Sequence, residues 1–127
     1  MDTRGKHLIL DFYDCDPELI NDSSFLLEAC TSAARKANAT ILDTHLHKFE
    51  PQGISVLIIL QESHLSLHSF PEESYVSVDI YSCGDCAEPL NAMGFLKEKF
   101  CSQTVIYKNL LRGINRQITD NFCYGKQ

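Results

Sequence analysis

The sequence predicts an α+β fold: a two-layer sandwich in which a mainly antiparallel sheet carries two helices on one face. Three observations lead there. Apolar residues alternate, or run in short strand-length segments, at six places along the 127 residues. Only two stretches space them at helical intervals, and an unbroken series of strand segments separates those two. The composition, 44% hydrophobic and 22% charged, is that of one ordinary globular domain spanning residues 1–127.

Residues 7–13 (HLILDFY) read as the first strand. Asn21 or Asp22 can cap a helix in which Phe25, Leu26, Ala29, Ala33 and Ala37 share a face. Asn38, tolerant of left-handed backbone, ends it. Residues 39–49 form the second strand, and Pro51-Gln52-Gly53 a turn. The segment 54–61 (ISVLIILQ) is strongly apolar and predicts a strand buried on both faces or nearly so. Residues 63–69 make a fourth strand of imperfect alternation, which Phe70-Pro71-Glu72-Glu73 interrupts. In 75–82 (YVSVDIYS), Val76, Val78 and Ile80 take one face and Ser77, Asp79 and Tyr81 the other. Pro89 opens a second helix with Leu90, Met93, Leu96 and Phe100 on its apolar face. Residues 103–111 close the domain as a strand, and the polar tail over about 112–127 is expected to be loose. The sheet face away from the helices must be covered or polar.

A net charge of −6 argues against nucleic acid as a partner. No apolar run approaches the roughly 20 residues of a membrane span. The apolar stretch in MDTRGKHLILDFYDCD is too short for a secretory signal, so cytoplasm and reduced thiols are the expectation. The six cysteines include one CxxC, Cys83-Gly84-Asp85-Cys86. It lacks the second ligand pair of a zinc site, so no metal is expected, and a redox role stands as a rival reading.

The stretch from Gln61 to Pro71 (QESHLSLHSFP) holds the most chemistry. The Ser63 hydroxyl can attack the carbonyl of the residue before it, Glu62, in an N-to-O acyl shift that makes an ester. β-Elimination then breaks the chain and leaves dehydroalanine, which hydrolyses to a pyruvoyl group. This sequence of steps needs a positioned peptide and a base. His68 and His64 both compete for the second role, although the period-2 geometry of a strand sets Ser63 and His68 on opposite faces unless a bulge intervenes. Cys83, just past a strand end and before a glycine, is a thiol with an ordinary pKa near 8.5 that can do acid–base work.

The order Leu60-Gln61-Glu62-Ser63-His64-Leu65-Ser66-Leu67-His68, then Phe70-Pro71-Glu72, then Val78-Asp79-Ile80-Tyr81-Ser82-Cys83-Gly84-Asp85, resembles the bacterial and archaeal S-adenosylmethionine decarboxylases. The likeness runs from about His7 to Asp85 and is closest from Phe49 onward. It implies a proenzyme cut between Glu62 and Ser63, with Ser63 converted to the pyruvoyl cofactor that takes the substrate amine as a Schiff base. It implies that His68 serves the processing as a base, that Ser55 assists it, and that Cys83 returns a proton after decarboxylation. Phe49, Leu65, Phe70 and Glu72 would surround the substrate, the two rings facing purine and sulfonium and Glu72 accepting ribose hydroxyls. A homodimer of cleaved protomers is implied, as is a product that donates aminopropyl groups to spermidine synthesis. Two departures matter: the family usually has tryptophan where Phe70 stands and tyrosine-glycine where Glu73-Ser74 stand. Relatives decarboxylate arginine or ornithine, and a carboxylate at Glu73 would suit such a cationic side chain. A non-catalytic paralogue that regulates a true decarboxylase is the remaining alternative.

Overall fold

A computed structural model describes residues 4–83 and 88–121 of the chain. Strand β1 (Gly5–Tyr13) leads into helix α1 (Ser23–Lys36), followed by β2 (Ile41–Lys48), β3 (Ile54–Leu60), β4 (Ser63–Phe70) and β5 (Tyr75–Cys83). Helix α2 (Leu90–Lys99) precedes β6 (Thr104–Ile114) and β7 (Gln117–Asp120). All neighbouring strands pair antiparallel, in the order β2-β3-β4-β5-β1-β6-β7. Strand β1 therefore lies in the interior of the sheet, between two strands that follow it far along the chain. The expected α+β sandwich is the observed one.

Both helices lie on one face of that sheet, α1 against β2, β3 and β4, and α2 against α1 and β1. The Asp22 carboxylate caps α1 by accepting the Phe25 N–H at 3.0 Å, and Asn38 follows the helix with φ +62°. Leu26, Ala29, Cys30, Ala33 and Ala34 bury the inner face of α1 against alternate strand residues: Leu8, Leu10 and Phe12 of β1, Ile54, Val56 and Ile58 of β3, Leu65 and Leu67 of β4, and Val76, Val78 and Ile80 of β5. Phe100, at the end of α2, meets Phe12 edge-to-face at 5.3 Å.

Two expectations need correction. Strand β3 is buried on one face only, because both helices sit on the same side of the sheet; Leu57 remains 38% exposed on the other. The segment from Arg112 is not a loose tail as far as it is described. Strand β6 runs on to Ile114, turns through Asn115 and Arg116, both at positive φ, and returns as β7, with Ile114 opposite Gln117. Two successive left-handed residues make the turn that fits the twist of a two-residue hairpin, and Asn-Arg is a weaker written signal for it than Asn-Gly.

Among the described residues, none covers the sheet face away from the helices. It presents Ile9, Leu57 and Ile106 at 39%, 38% and 59% exposure, together with polar residues of β1, β4 and β5.

Candidate active site

The β3–β4 hairpin turns through Gln61 and Glu62, with Leu60 paired to Ser63. Three bonds fix this turn. The Gln61 N–H donates to the Thr40 carbonyl at 2.9 Å, and the Thr40 N–H donates to Glu62 Oε1 at 3.0 Å. The Cys83 N–H donates to the Glu62 carbonyl oxygen at 3.0 Å. The peptide expected to be cut is thus held on its carbonyl side by the backbone of the residue expected to act as proton donor.

Ser63 is half-buried, and its hydroxyl lies 3.4 Å from Nδ1 of the next residue, His64. The His64 ring packs against Tyr81 at 5.9 Å, near-perpendicular. Around them stand His7 of β1, Asp79 and Tyr81 of β5, and Arg112 of β6. Arg112 Nη1 donates to His7 Nδ1 at 3.1 Å, so His7 Nε2–H donates to Asp79 Oδ1 at 3.0 Å, and the guanidinium lies 4.7 Å over the Tyr81 ring. Burial, then the neighbouring His7 and, after the opposing pull of Asp79, Arg112 hold the His64 imidazole below its ordinary pKa. Across from Ser63 in β5 stands Ser82, 2% exposed, whose Oγ is the one buried side-chain polar atom without a hydrogen-bond partner among the described residues.

At the other end of β4 a second group gathers. Ser55 of β3 and His68 of β4 face each other in the sheet register, with Oγ and Nδ1 2.7 Å apart. They form part of the wall of a cleft of about 310 Å³ that Phe49, Phe70 and Glu72 also line. Phe49 and Phe70 are 47% and 40% exposed, so both rings are free to cover a ligand. Phe70 stacks on Tyr75 at 5.3 Å, and Tyr75 on Tyr13 at 5.1 Å. The Tyr75 hydroxyl donates to Asp11 at 2.7 Å; burial first and that bond second push its pKa up to about 12. Glu73 is exposed and does not line the cleft. Ser74, where the resembling family has glycine, takes the left-handed conformation glycine adopts freely, φ +50° and ψ +41°.

The residues singled out from the sequence therefore fall into two sets. Glu62, Ser63 and Cys83 meet at the hairpin end of β4, while Phe49, Ser55, His68, Phe70 and Glu72 meet at the far end. Ser63 and His68 are five residues apart on a strand whose pairing shows no register shift, which separates them by about 16 Å at about 3.3 Å per residue. Leu65 joins neither set: its side chain is fully buried beneath the sheet, so only its backbone can meet a ligand. Cys86 lies outside the described residues. Burial pushes the Cys30 thiol up to about 12 and Cys15 up to about 11; among the described cysteines it is half-buried Cys83 that stands beside the hairpin. His7, Asp79, Tyr81 and Arg112 were not foreseen. They come from three strands, and only the sheet order joins them.

Comparisons with known proteins point to one family and one fold. The family model described as S-adenosylmethionine decarboxylase matches residues 6–113. The S-adenosylmethionine decarboxylase proenzyme of Parasynechococcus marenigrum (strain WH8102) is 42% identical over 113 residues, covering 89% of this chain and 85% of its own. A proenzyme of the same name from Clostridium kluyveri is 37% identical over 120 residues, covering 94% and 95%. Among solved structures, the adenosylmethionine decarboxylase of Aquifex aeolicus VF5 superposes with a TM-score of 0.77 at 25% identity, covering 100% of this chain and 98% of that one.

Proposed function

The chain belongs to the S-adenosylmethionine decarboxylase family, and from that premise we propose that it is a self-processing, pyruvoyl-dependent enzyme that decarboxylates S-adenosylmethionine in the cytoplasm to supply the aminopropyl donor for spermidine. Cleavage between Glu62 and Ser63 would divide the single domain. The hairpin suits such a reaction: a serine hydroxyl beside an imidazole, next to a carbonyl already accepting an N–H. A pyruvoyl group formed there would supply a ketone for the substrate amine and an acceptor for the electrons left when carbon dioxide departs. The chain's own contribution is positional and acid–base. Cys83 holds the proton for the carbon that has lost its carboxylate. Phe49 and Phe70 cover the purine and sulfonium, and Glu72 accepts from the ribose. The carboxylate that would favour arginine or ornithine, Glu73, is not among the residues lining the cleft, which supports the nucleoside-bearing substrate.

The observation that most shapes this reading is the separation of the two sets along β4. One chain cannot bring His68 to its own Ser63. A second copy can, if two open sheet faces pack about a two-fold axis, because such an interface sets residue i against j and j against i. The hairpin end of one protomer then meets the cleft end of its partner, twice. Ile9, Leu57 and Ile106 give that face the apolar surface such packing needs. We infer a homodimer with composite sites.

Trans-complementation tests it. Chains carrying Ser63→Ala and chains carrying His68→Ala, each unable to complete cleavage alone, are co-expressed with different tags. A mixed dimer holds one intact site, so the His68→Ala chain should be cut in the mixture. If it stays whole while mixed dimers form, the site is not shared between chains.

A further inference from the structure

Resting on the reading of Ser63 as a self-processing serine, we propose that His64, not His68, is the base that takes the Ser63 hydroxyl proton in the first step, and that it does so within its own chain. Three observations meet here. His64 Nδ1 lies 3.4 Å from Ser63 Oγ, whereas His68 is at the opposite end of the strand and paired with Ser55 at 2.7 Å. Tyr81 backs the His64 ring, with the centroids 5.9 Å apart. The carbonyl that the hydroxyl must attack is aligned by the Cys83 N–H at 3.0 Å, a donor already in place for the negative charge that develops on that oxygen. A long hydroxyl–imidazole contact before reaction is common in catalytic pairs.

The step balances within these groups. The Ser63 hydroxyl gives its proton to His64 Nδ1, and Oγ forms a bond to the Glu62 carbonyl carbon. The carbonyl π pair moves to oxygen, where Cys83 N–H donates. Collapse restores the carbonyl and breaks the Glu62–Ser63 C–N bond, and the departing nitrogen recovers a proton from the imidazolium. The product is an ester with a free amine on residue 63, with no proton gained or lost. Removal of the Cα proton, which starts the elimination, is a separate event and falls to another base. His68, supplied by the partner, is free to serve it. The surroundings favour the neutral His64 that the first step requires: burial first, then the neighbouring His7 on β1 and the Arg112 guanidinium on β6, lower its pKa against the single carboxylate Asp79 on β5.

Hydroxylamine separates the two steps, because it splits an ester at Glu62 and leaves an amide intact. Freshly made wild-type, His64→Ala, His64→Gln and His68→Ala chains are followed by intact mass, with and without hydroxylamine, after thermal melting has shown each to be folded. His68→Ala should stay uncut by itself yet split with hydroxylamine. The His64 variants should cut a hundredfold or more slowly, within the roughly 10²–10⁴-fold range of a lost general base, and show no hydroxylamine-sensitive ester. If His64→Ala fails to fold, His64→Gln, which keeps side-chain bulk and polarity, decides by the same readout. Ester accumulating in a His64 variant, cleavage at the wild-type rate, or no ester in His68→Ala overturns the assignment. Wild-type protein that stays whole and ester-free would instead sink the self-processing reading beneath it.

Discussion

The backbone N–H of Cys83 donates to the carbonyl oxygen of Glu62 at 3.0 Å, so one residue touches the bond to be cut through its main chain and is placed to serve turnover through its thiol. These two duties separate on substitution. Cys83→Ala keeps the N–H and removes the proton donor. Mass spectrometry should find the chain still cut, while carbon dioxide release falls by about 10²–10⁴-fold, the span typical of a lost general acid. Cys101→Ala, remote and exposed, should keep both near wild type. Equal losses in the two variants would remove Cys83 from its role.

The open sheet face offers a second prediction. Leu57 stands on it, opposite Ser66 of β4, and contributes nothing to the core beneath the helices. Leu57→Glu should leave the fold intact, as a surface change usually does. It should convert a dimer to a monomer in sedimentation and stop cleavage short of two fragments. A Leu57→Glu protein that remains dimeric would show that the copies meet elsewhere.

Processing should depend on pH in a definite sense. His64 lies below the ordinary imidazole value near 6.5, lowered first by burial. Its neutral, proton-accepting form therefore persists as the pH falls to 6.5, and the cleavage rate should decline only at more acid values. A decline centred at or above 6.5 would contradict this. Stability follows the same sign. The unfolded chain takes up the proton at the ordinary value and the folded chain later, so the folded state loses stability as the pH falls through 6.5. Uncut Ser63→Ala protein should show this in thermal melts, and adding His64→Gln should flatten the dependence.

Substrate choice rests on the rings of the cleft. Phe70→Ala should raise KM for S-adenosylmethionine, costing about 0.5–2 kcal/mol by the range for a lost ring–cation contact, with kcat less affected. Tyr75→Ala, which removes the ring against which Phe70 stacks, should act in the same direction more weakly. Steady-state assays with S-adenosylmethionine, arginine and ornithine decide the class. Much the higher kcat/KM for either amino acid would show that the departures at Phe70 and Glu73-Ser74 set the specificity.

The fold was legible where local pattern and burial agree. The alternation in 75–82 is that of β5, with Val76, Val78 and Ile80 inward, and Asp22 and Asn38 bound α1 by the capping chemistry their side chains suggest. Strand β3 misled because uniform apolarity records that both faces are apolar, not which partner covers the second one. The β6–β7 hairpin was hidden because Asn115 and Arg116 take left-handed backbone without glycine. For the candidate site, motif order picked out residues that do gather at two ends of one strand, and strand periodicity correctly held Ser63 apart from His68. The His7–Asp79–Arg112 group was out of reach because its members are brought together only by β1 entering the sheet between β5 and β6.

That placement of β1 governs what a cut at Glu62–Ser63 would leave behind. The first fragment would own β1, β2 and β3, and the second β4 to β7, but the sheet does not divide along that line. The seam would cross it three times, at β3/β4, β5/β1 and β1/β6, with Leu8, Leu10 and Phe12 locked in the core of the other fragment's strands. The two pieces would be woven rather than docked. Dilution alone could not part them, and the broken chain would unfold as one cooperative body in denaturant, its fragments separating only once β1 had been drawn out from between β5 and β6.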